Sequence, residues 1–202
     1  MFSLEDLLGQ QTGGEAIGQI SANLGADQST VNNAVQMALP VILQGLANNV
    51  QSPQGAQSLD SALANDHTGG LLNNLTDFLS GGVPAPEQAT RATNGSGILE
   101  HILGTNKGTA AQEISNKTGL DMGQVANLLI TLAPIVMAYL GKQKQQNDLD
   151  AGGVSDLILG QQKQAQSTGN PMIDMASRML DSDGDGSALD DLAAMAAGYF
   201  MK

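Results

Sequence analysis

The chain has 202 residues, of which 41% are apolar and 2% are aromatic, and none is cysteine or tryptophan. This length can bury a core, which must be built from aliphatic side chains, and the lack of cysteine excludes disulfides and thiolate metal sites. The net charge is −12, and the first basic residue is Arg91. An acidic chain with a base-free first half cannot neutralise phosphates, which excludes nucleic-acid binding and makes attachment to anionic membranes unfavourable.

The amino-terminal sequence, MFSLEDLLG, has no basic segment and carries Glu5 and Asp6. It therefore lacks the pattern of a secretory signal peptide. We expect a cytoplasmic location, with export by a non-standard route left open.

The two halves of the chain share a sequence pattern. LEDLLG at residues 4–9 returns as LEHILG at residues 99–104. The stretch ISANLGADQSTVNNAVQMALPVILQGL, from Ile20, aligns with ISNKTGLDMGQVANLLITLAPIVMAYL, from Ile114. A match over this length indicates an internal duplication. We predict an all-α fold of tandem duplicated helical units, with a first unit at 1–80, a linker at 81–97 and a second unit at 98–202.

Each copy contains signals for where its helices end and begin. Gly25 and Gly119 suit the left-handed position that ends a helix. Asp27 and Asp121 follow as candidate N-caps, and Gln124 completes a capping box in the second copy. The residues after each Asp have apolar side chains at helical spacing, which predicts a long helix in both copies.

A proline falls inside each of these long apolar segments. Pro40 and Pro134 predict either a kink or the start of a second helix, because proline removes a backbone hydrogen bond. The second-copy segment, Val125–Gly141, is uncharged and about 17 residues long, the lower limit for crossing a bilayer. We expect it to be a buried core helix, because the aligned first-copy helix carries polar residues such as Asn33 and Gln36.

A carboxylate-rich loop lies in LDSDGDGSALDDL, residues 180–192, between two segments of helical pattern. Counted from the first Asp, it has Asp at positions 1, 3 and 5, Gly at 6 and Ser at 7. This is the ligand arrangement of an EF-hand, and close carboxylates need a cation to offset their repulsion. Oxygen ligands without His or Cys favour calcium. We predict an EF-hand-like helix-loop-helix whose calcium ligands are Asp181, Asp183, Asp185, Ser187, Asp190 and Asp191.

The twelfth position departs from the EF-hand pattern, because Leu192 stands where a bidentate glutamate is usual. Asp190 or Asp191 would then have to close the loop. The alternative is that both interact with the N-terminus of the following helix, and that the acidic run is a solvated cap without metal.

A related loop with fewer charges lies in the first half, in LANDHTGGLLNNL, residues 63–75. It keeps Asp66 opposite Asp183 and Gly69 opposite Gly186, while Ala, Thr and Asn replace the other aspartates. We interpret this first-half loop as the same turn without the metal.

The Pro-containing helix, the first-half loop and the acidic loop together resemble a bacterial family, the domain of unknown function 937, which is related to the YidB-like proteins. The resemblance implies an all-helical fold and a bacterial source. It implies no activity and supplies no catalytic residues.

We predict a non-enzymatic calcium-binding helical scaffold that acts by contact with protein partners or by self-association. The chain's two histidines, His67 and His101, have no partner at ligand spacing and are expected to be surface or loop residues. No phosphate-binding loop or nucleophile motif is present. The alternatives are an acidic helical domain without metal, or a carrier of a small apolar ligand in a pocket lined by Leu128, Leu132 and Val136.

Overall fold

The structure is a computed structural model that describes residues 13–81 and 91–167. Within these two ranges the chain is helical and contains no strand, which confirms the all-α class. In chain order the helices are α1 (Gly13–Leu24), α2 (Gln28–Val50), α3 (Pro53–Asn65), α4 (Gly70–Asn73), α5 (Leu75–Leu79), α6 (Gly95–Leu103), α7 (Lys107–Thr118), α8 (Met122–Asn147) and α9 (Ala151–Ser167), with a 3₁₀ turn at Gly104–Asn106.

The chain divides into two compact units, residues 1–162 and residues 163–202. Helices α1 to α8 belong to the first unit, and α9 begins in it. Residues 91–93 are helical and α6 begins at Gly95, so the last residues of the segment predicted as a linker have regular structure.

The predicted helix boundaries are confirmed in both of the aligned segments. Gly25 and Gly119 have φ angles of 65° and 79°, the left-handed conformation that glycine adopts without steric cost. Asp27 and Asp121 are the N-caps of α2 and α8. The capping box is also present. The Asp121 carboxylate accepts a hydrogen bond from the backbone N–H of Gln124 at 2.8 Å, and the Gln124 side-chain oxygen accepts one from the backbone N–H of Asp121 at 2.9 Å.

Both long helices run through their prolines, so the predicted alternative of a second helix starting there is wrong. An interior proline costs about 3 kcal/mol in a helix. Pro134 is itself buried in α8, and Leu128, Leu132 and Ile135 of the same helix are fully buried. Each such side chain contributes roughly 1.5–3 kcal/mol on burial, so tertiary packing outweighs the cost of the proline.

Helix α8 is the centre of the first unit. It packs against α1, α2, α3, α4, α6 and α7, and every residue from Leu132 to Gly141 is buried. The predicted core helix is therefore observed. In the described part of the chain, α8 is also the helix whose length and composition would allow it to cross a membrane, a property that core helices share.

Two glycines allow backbone segments to approach each other closely at α8. A Cβ atom at Gly141 would lie 1.6 Å from the carbonyl oxygen of His67, in the loop after α3. A Cβ atom at Gly95, in the first turn of α6, would lie 1.9 Å from the carbonyl oxygen of Ile130 in α8. Neither position can hold a side chain unless the backbones separate, so the two contacts fix α6 and the first-half loop against α8.

Gly141→Ala should lower the free energy of unfolding by about 2–3 kcal/mol, because the new methyl group overlaps a backbone atom. Gly160→Ala in α9 is the matched control, because no atom lies within 4 Å of its Cβ position. The control should be neutral or stabilise by up to about 1 kcal/mol, since alanine favours helices. Urea denaturation of both variants measures the difference, and equal stability would show that the close contact does not exist.

Candidate functional site

A cavity of about 630 Å³ lies between the carboxyl end of α2, helix α3 and the start of α6. Met137 of α8 also contributes to its lining. The volume falls within the range of about 300–1,000 Å³ that is usual for small-molecule sites.

One part of the lining is apolar and belongs to the core. Leu46, Leu59, Ile98, Ile102 and Met137 line the cavity and are each at most 9% exposed. Because these side chains are already held by packing, they form a preformed surface that hydrocarbon can cover.

The polar part of the lining includes the first turns of two helices. Ser52 is the N-cap of α3, and its Oγ accepts a hydrogen bond from the Gly55 amide at 3.1 Å. Asn94 is the N-cap of α6, and its Oδ1 accepts from the Gly97 amide at 3.1 Å. All four residues line the cavity. N-cap residues supply an acceptor to the helix, so their own O–H and N–H groups remain available as donors.

His67 also lines the cavity, and it is only 5% exposed. Its backbone N–H donates to the Ala62 carbonyl at 3.1 Å, and its carbonyl lies against Gly141. It is a loop residue, in agreement with the expected surface or loop position, and it is buried because the Gly141 contact draws the loop onto α8. The Nδ1 atom is buried and has no hydrogen-bond partner. Burial lowers the pKa of the imidazole below its usual 6.5, against the smaller, opposite effect of Asp66.

Three more residues with ionisable side chains line the cavity: Asp66, Arg91 and His101. Arg91 is exposed and forms no ion pair with another residue of the described ranges. His101 is exposed, as expected, and its backbone carbonyl accepts a hydrogen bond from the side-chain amide of Asn49 at 2.9 Å. The chain has two histidines and two arginines, and both histidines and one arginine line the cavity.

The first-half loop is held between α3 and α8. Gly69 adopts the left-handed conformation, with φ 86°, as expected for the sharp turn of this loop. A Cβ atom there would lie 2.8 Å from Lys142 Cβ in α8. Nearby, the Lys144 ammonium of α8 donates to Asp60 of α3 at 2.5 Å and to the Leu149 carbonyl at 2.7 Å. Two glycine contacts and an ion pair thus fasten α3 and its loop to α8.

The predicted calcium ligands Asp181, Asp183, Asp185, Ser187, Asp190 and Asp191 lie outside the described residues. Within the described ranges, no group of three His, Cys, Asp or Glu residues could hold a metal ion. The predicted apolar lining residues Leu128, Leu132 and Val136 are fully buried in α8 and do not line the cavity between α3 and α6.

Sequence reasoning missed this cavity. Its walls come from residues that are up to 91 positions apart, from Leu46 to Met137, so no local motif marks it. One signal in the sequence pointed to it. Histidine and arginine are rare in this chain, so the few that occur are candidates for a shared site.

The family model described as a bacterial protein of unknown function (DUF937) matches residues 6–143, more than half of the chain. The chain belongs to this family. The matched region includes every residue that lines the cavity and ends before the acidic loop. No curated protein and no solved structure matches the chain.

Burial of His67 should make stability depend on pH. The folded chain holds this imidazole neutral, whereas the unfolded chain protonates it below about pH 6.5. The free energy of unfolding should therefore fall as the pH drops through 6.5, by up to about 1.4 kcal/mol per pH unit, until the lowered folded pKa is reached.

His67→Gln should remove this dependence, whereas His101→Gln, at the exposed histidine, should keep it. Urea denaturation between pH 7.5 and 5.5 measures both variants. If the wild type and His67→Gln lose stability in parallel, the buried imidazole is not the group responsible.

Proposed function

We propose that this chain is a non-enzymatic, calcium-binding helical scaffold that acts through contacts with other proteins, including copies of itself. The observation that carries the calcium part is the spacing of aspartates in the acidic loop, with Gly186 at the sixth position, where an EF-hand has a glycine. Hard oxygen ligands at these positions are the EF-hand arrangement, and their mutual repulsion is relieved when a divalent cation is bound.

The first-half loop supports this proposal. It follows α3, contains a left-handed glycine at Gly69 and leads directly into α4, so the aligned sequence in the first half forms a helix, a turn and a second helix. Packing of Gly69 and His67 against α8 holds that turn. We infer that the acidic loop uses a cation for the same purpose, as part of a C-terminal EF-hand-like helix-loop-helix.

The matching boundaries of the two copies support tandem duplication as the origin of the fold. In both copies a left-handed glycine ends one helix, an aspartate caps the next, and that long helix continues through a proline. We propose that residues 1–80 and 98–202 are the two units.

In this mechanism calcium has a structural role. Asp181, Asp183 and Asp185 supply carboxylate oxygens, Ser187 supplies its carbonyl, and Asp190 or Asp191 replaces the missing glutamate. Binding would then stabilise the final helix pair without acting as a signal, because the loop lacks the bidentate twelfth ligand of sensor sites.

Calcium should raise the melting temperature of the full chain, and Asp183→Ala should abolish the rise. At a calcium concentration 100 times the dissociation constant, binding stabilises the folded state by about 2.7 kcal/mol. Asp66→Ala is the matched control, because it removes the aligned carboxylate from the first-half loop and should leave the calcium effect intact. Equal melting curves in calcium and in chelator would contradict calcium binding and favour the alternative, in which the acidic run is a solvated cap without metal.

Self-association should appear as a molar mass above 20.7 kDa that rises with protein concentration. Sedimentation equilibrium in calcium and in chelator measures it directly. A mass that stays at the monomer value up to high concentration would contradict self-association as the mode of action.

The cavity between α3 and α6 favours a second candidate function, the carriage of a small molecule. Its volume of about 630 Å³ and its buried apolar lining suit a ligand with a hydrocarbon part. The ligand would occupy this cavity and not the predicted pocket around Leu128, which is buried in the core.

A further inference from the structure

We propose that the cavity between α3 and α6 binds a small organic monoanion, namely a carboxylate attached to an apolar body. This inference rests on the second candidate function, small-molecule carriage, and is independent of calcium. It goes further by assigning the charge and shape of the ligand.

Two helix N-termini meet at the cavity. Ser52 and Gly55 belong to the start of α3, and Asn94 and Gly97 belong to the start of α6. The N–H groups of Gly55 and Gly97 are already paired with the N-cap side chains. The first turn of each helix therefore favours an anion through its partial positive charge. Helices of 13 and 9 residues are long enough for this effect to be developed at both ends.

The side chains at these helix starts reinforce the preference. The oxygens of Ser52 and Asn94 already accept bonds from their helices, so these residues offer mainly donors to a ligand. Arg91, three residues before Asn94, adds a full positive charge with no ion-pair partner among the described residues. Its planar guanidinium can bind both oxygens of a carboxylate.

The wall of the cavity also contains a buried polar group whose hydrogen bonding is incomplete. His67 lines the cavity, is 5% exposed, and its Nδ1 has no hydrogen-bond partner. An unpaired buried polar atom costs about 1–3 kcal/mol, and a ligand whose binding turns the ring towards the cavity supplies the missing hydrogen bond and recovers this energy.

Asp66 sets the upper limit on the ligand's charge. Its carboxylate lines the same cavity as Arg91, so a ligand with several negative charges would be repelled while a single carboxylate can be accommodated. The ligand must also cover the apolar lining formed by Leu46, Leu59, Ile98, Ile102 and Met137. A carboxylate with a hydrocarbon chain or ring meets both conditions, whereas a nucleotide or an inorganic phosphate does not.

The test uses three probes that share an eight-carbon chain and differ in the head group: octanoate, octanol and octylammonium. Titration calorimetry on the full chain, in chelator, measures their affinities. The ring signals of His67 and His101 in proton NMR locate the binding, because the chain has no other histidine. We expect octanoate to bind most tightly and octylammonium least, and octanoate to shift both histidine signals.

Arg91→Gln should weaken octanoate binding about tenfold and leave octanol binding unchanged, because it removes the charge and keeps the apolar lining. Lys117→Gln is the matched control, since it removes an exposed positive charge that does not line the cavity. Its octanoate affinity should equal that of the wild type. Unaltered thermal melting establishes that both variants are folded.

Two results would overturn the inference. Equal affinity for octanoate and octanol, or an Arg91→Gln variant that keeps the wild-type octanoate affinity, would show an apolar pocket without anion recognition, and small-molecule carriage would survive. No binding of any of the three probes would overturn the inference and the carriage proposal together.

Discussion

The architecture depends on a backbone contact between the Gly141 Cα in α8 and the carbonyl group of His67. The contact requires a residue without a side chain at the end of the apolar stretch of α8. Because it draws the loop after α3 onto the central helix, it buries His67 and places that residue in the wall of the cavity. A chain with 2% aromatic residues has few large side chains with which to fill spaces between helices, so close approach of backbones takes over that role.

Local signals in the sequence predicted the helix boundaries, and non-local contacts determined the site. Gly119, Asp121 and Gln124 act within one turn of chain, so their pattern can be interpreted without knowing the rest of the fold. The burial of His67 depends on Gly141, 74 positions away, and no periodicity of its own segment reveals that partner. Ser52 and Asn94 are each predictable as N-caps, but their meeting at one cavity follows only from how α3 and α6 pack.

The first-half loop shows how packing can hold a turn for which the acidic loop is proposed to use calcium. In the first half, contacts at Gly69 and the ion pair between Lys144 and Asp60 secure the turn, so no carboxylate cluster is needed. In the function proposed above, the acidic loop obtains its order from a bound cation. Under the proposed duplication, the first half has exchanged ion-mediated order for packing. The packed loop can then contribute residues such as Asp66 and His67 to a different site.

The position of α8 in the chain also has a consequence for synthesis. The helix packs against α1 to α4, α6 and α7, all of which precede it, so its apolar partners emerge from the ribosome before the helix that covers them. About 66 residues separate Gly81 from the end of α8, which at roughly 5–20 residues per second is a delay of about 3–13 seconds. During that interval the nascent chain exposes Leu63 and other residues that are buried in the finished fold. Burial of this aliphatic surface is therefore completed only after α8 has been synthesised.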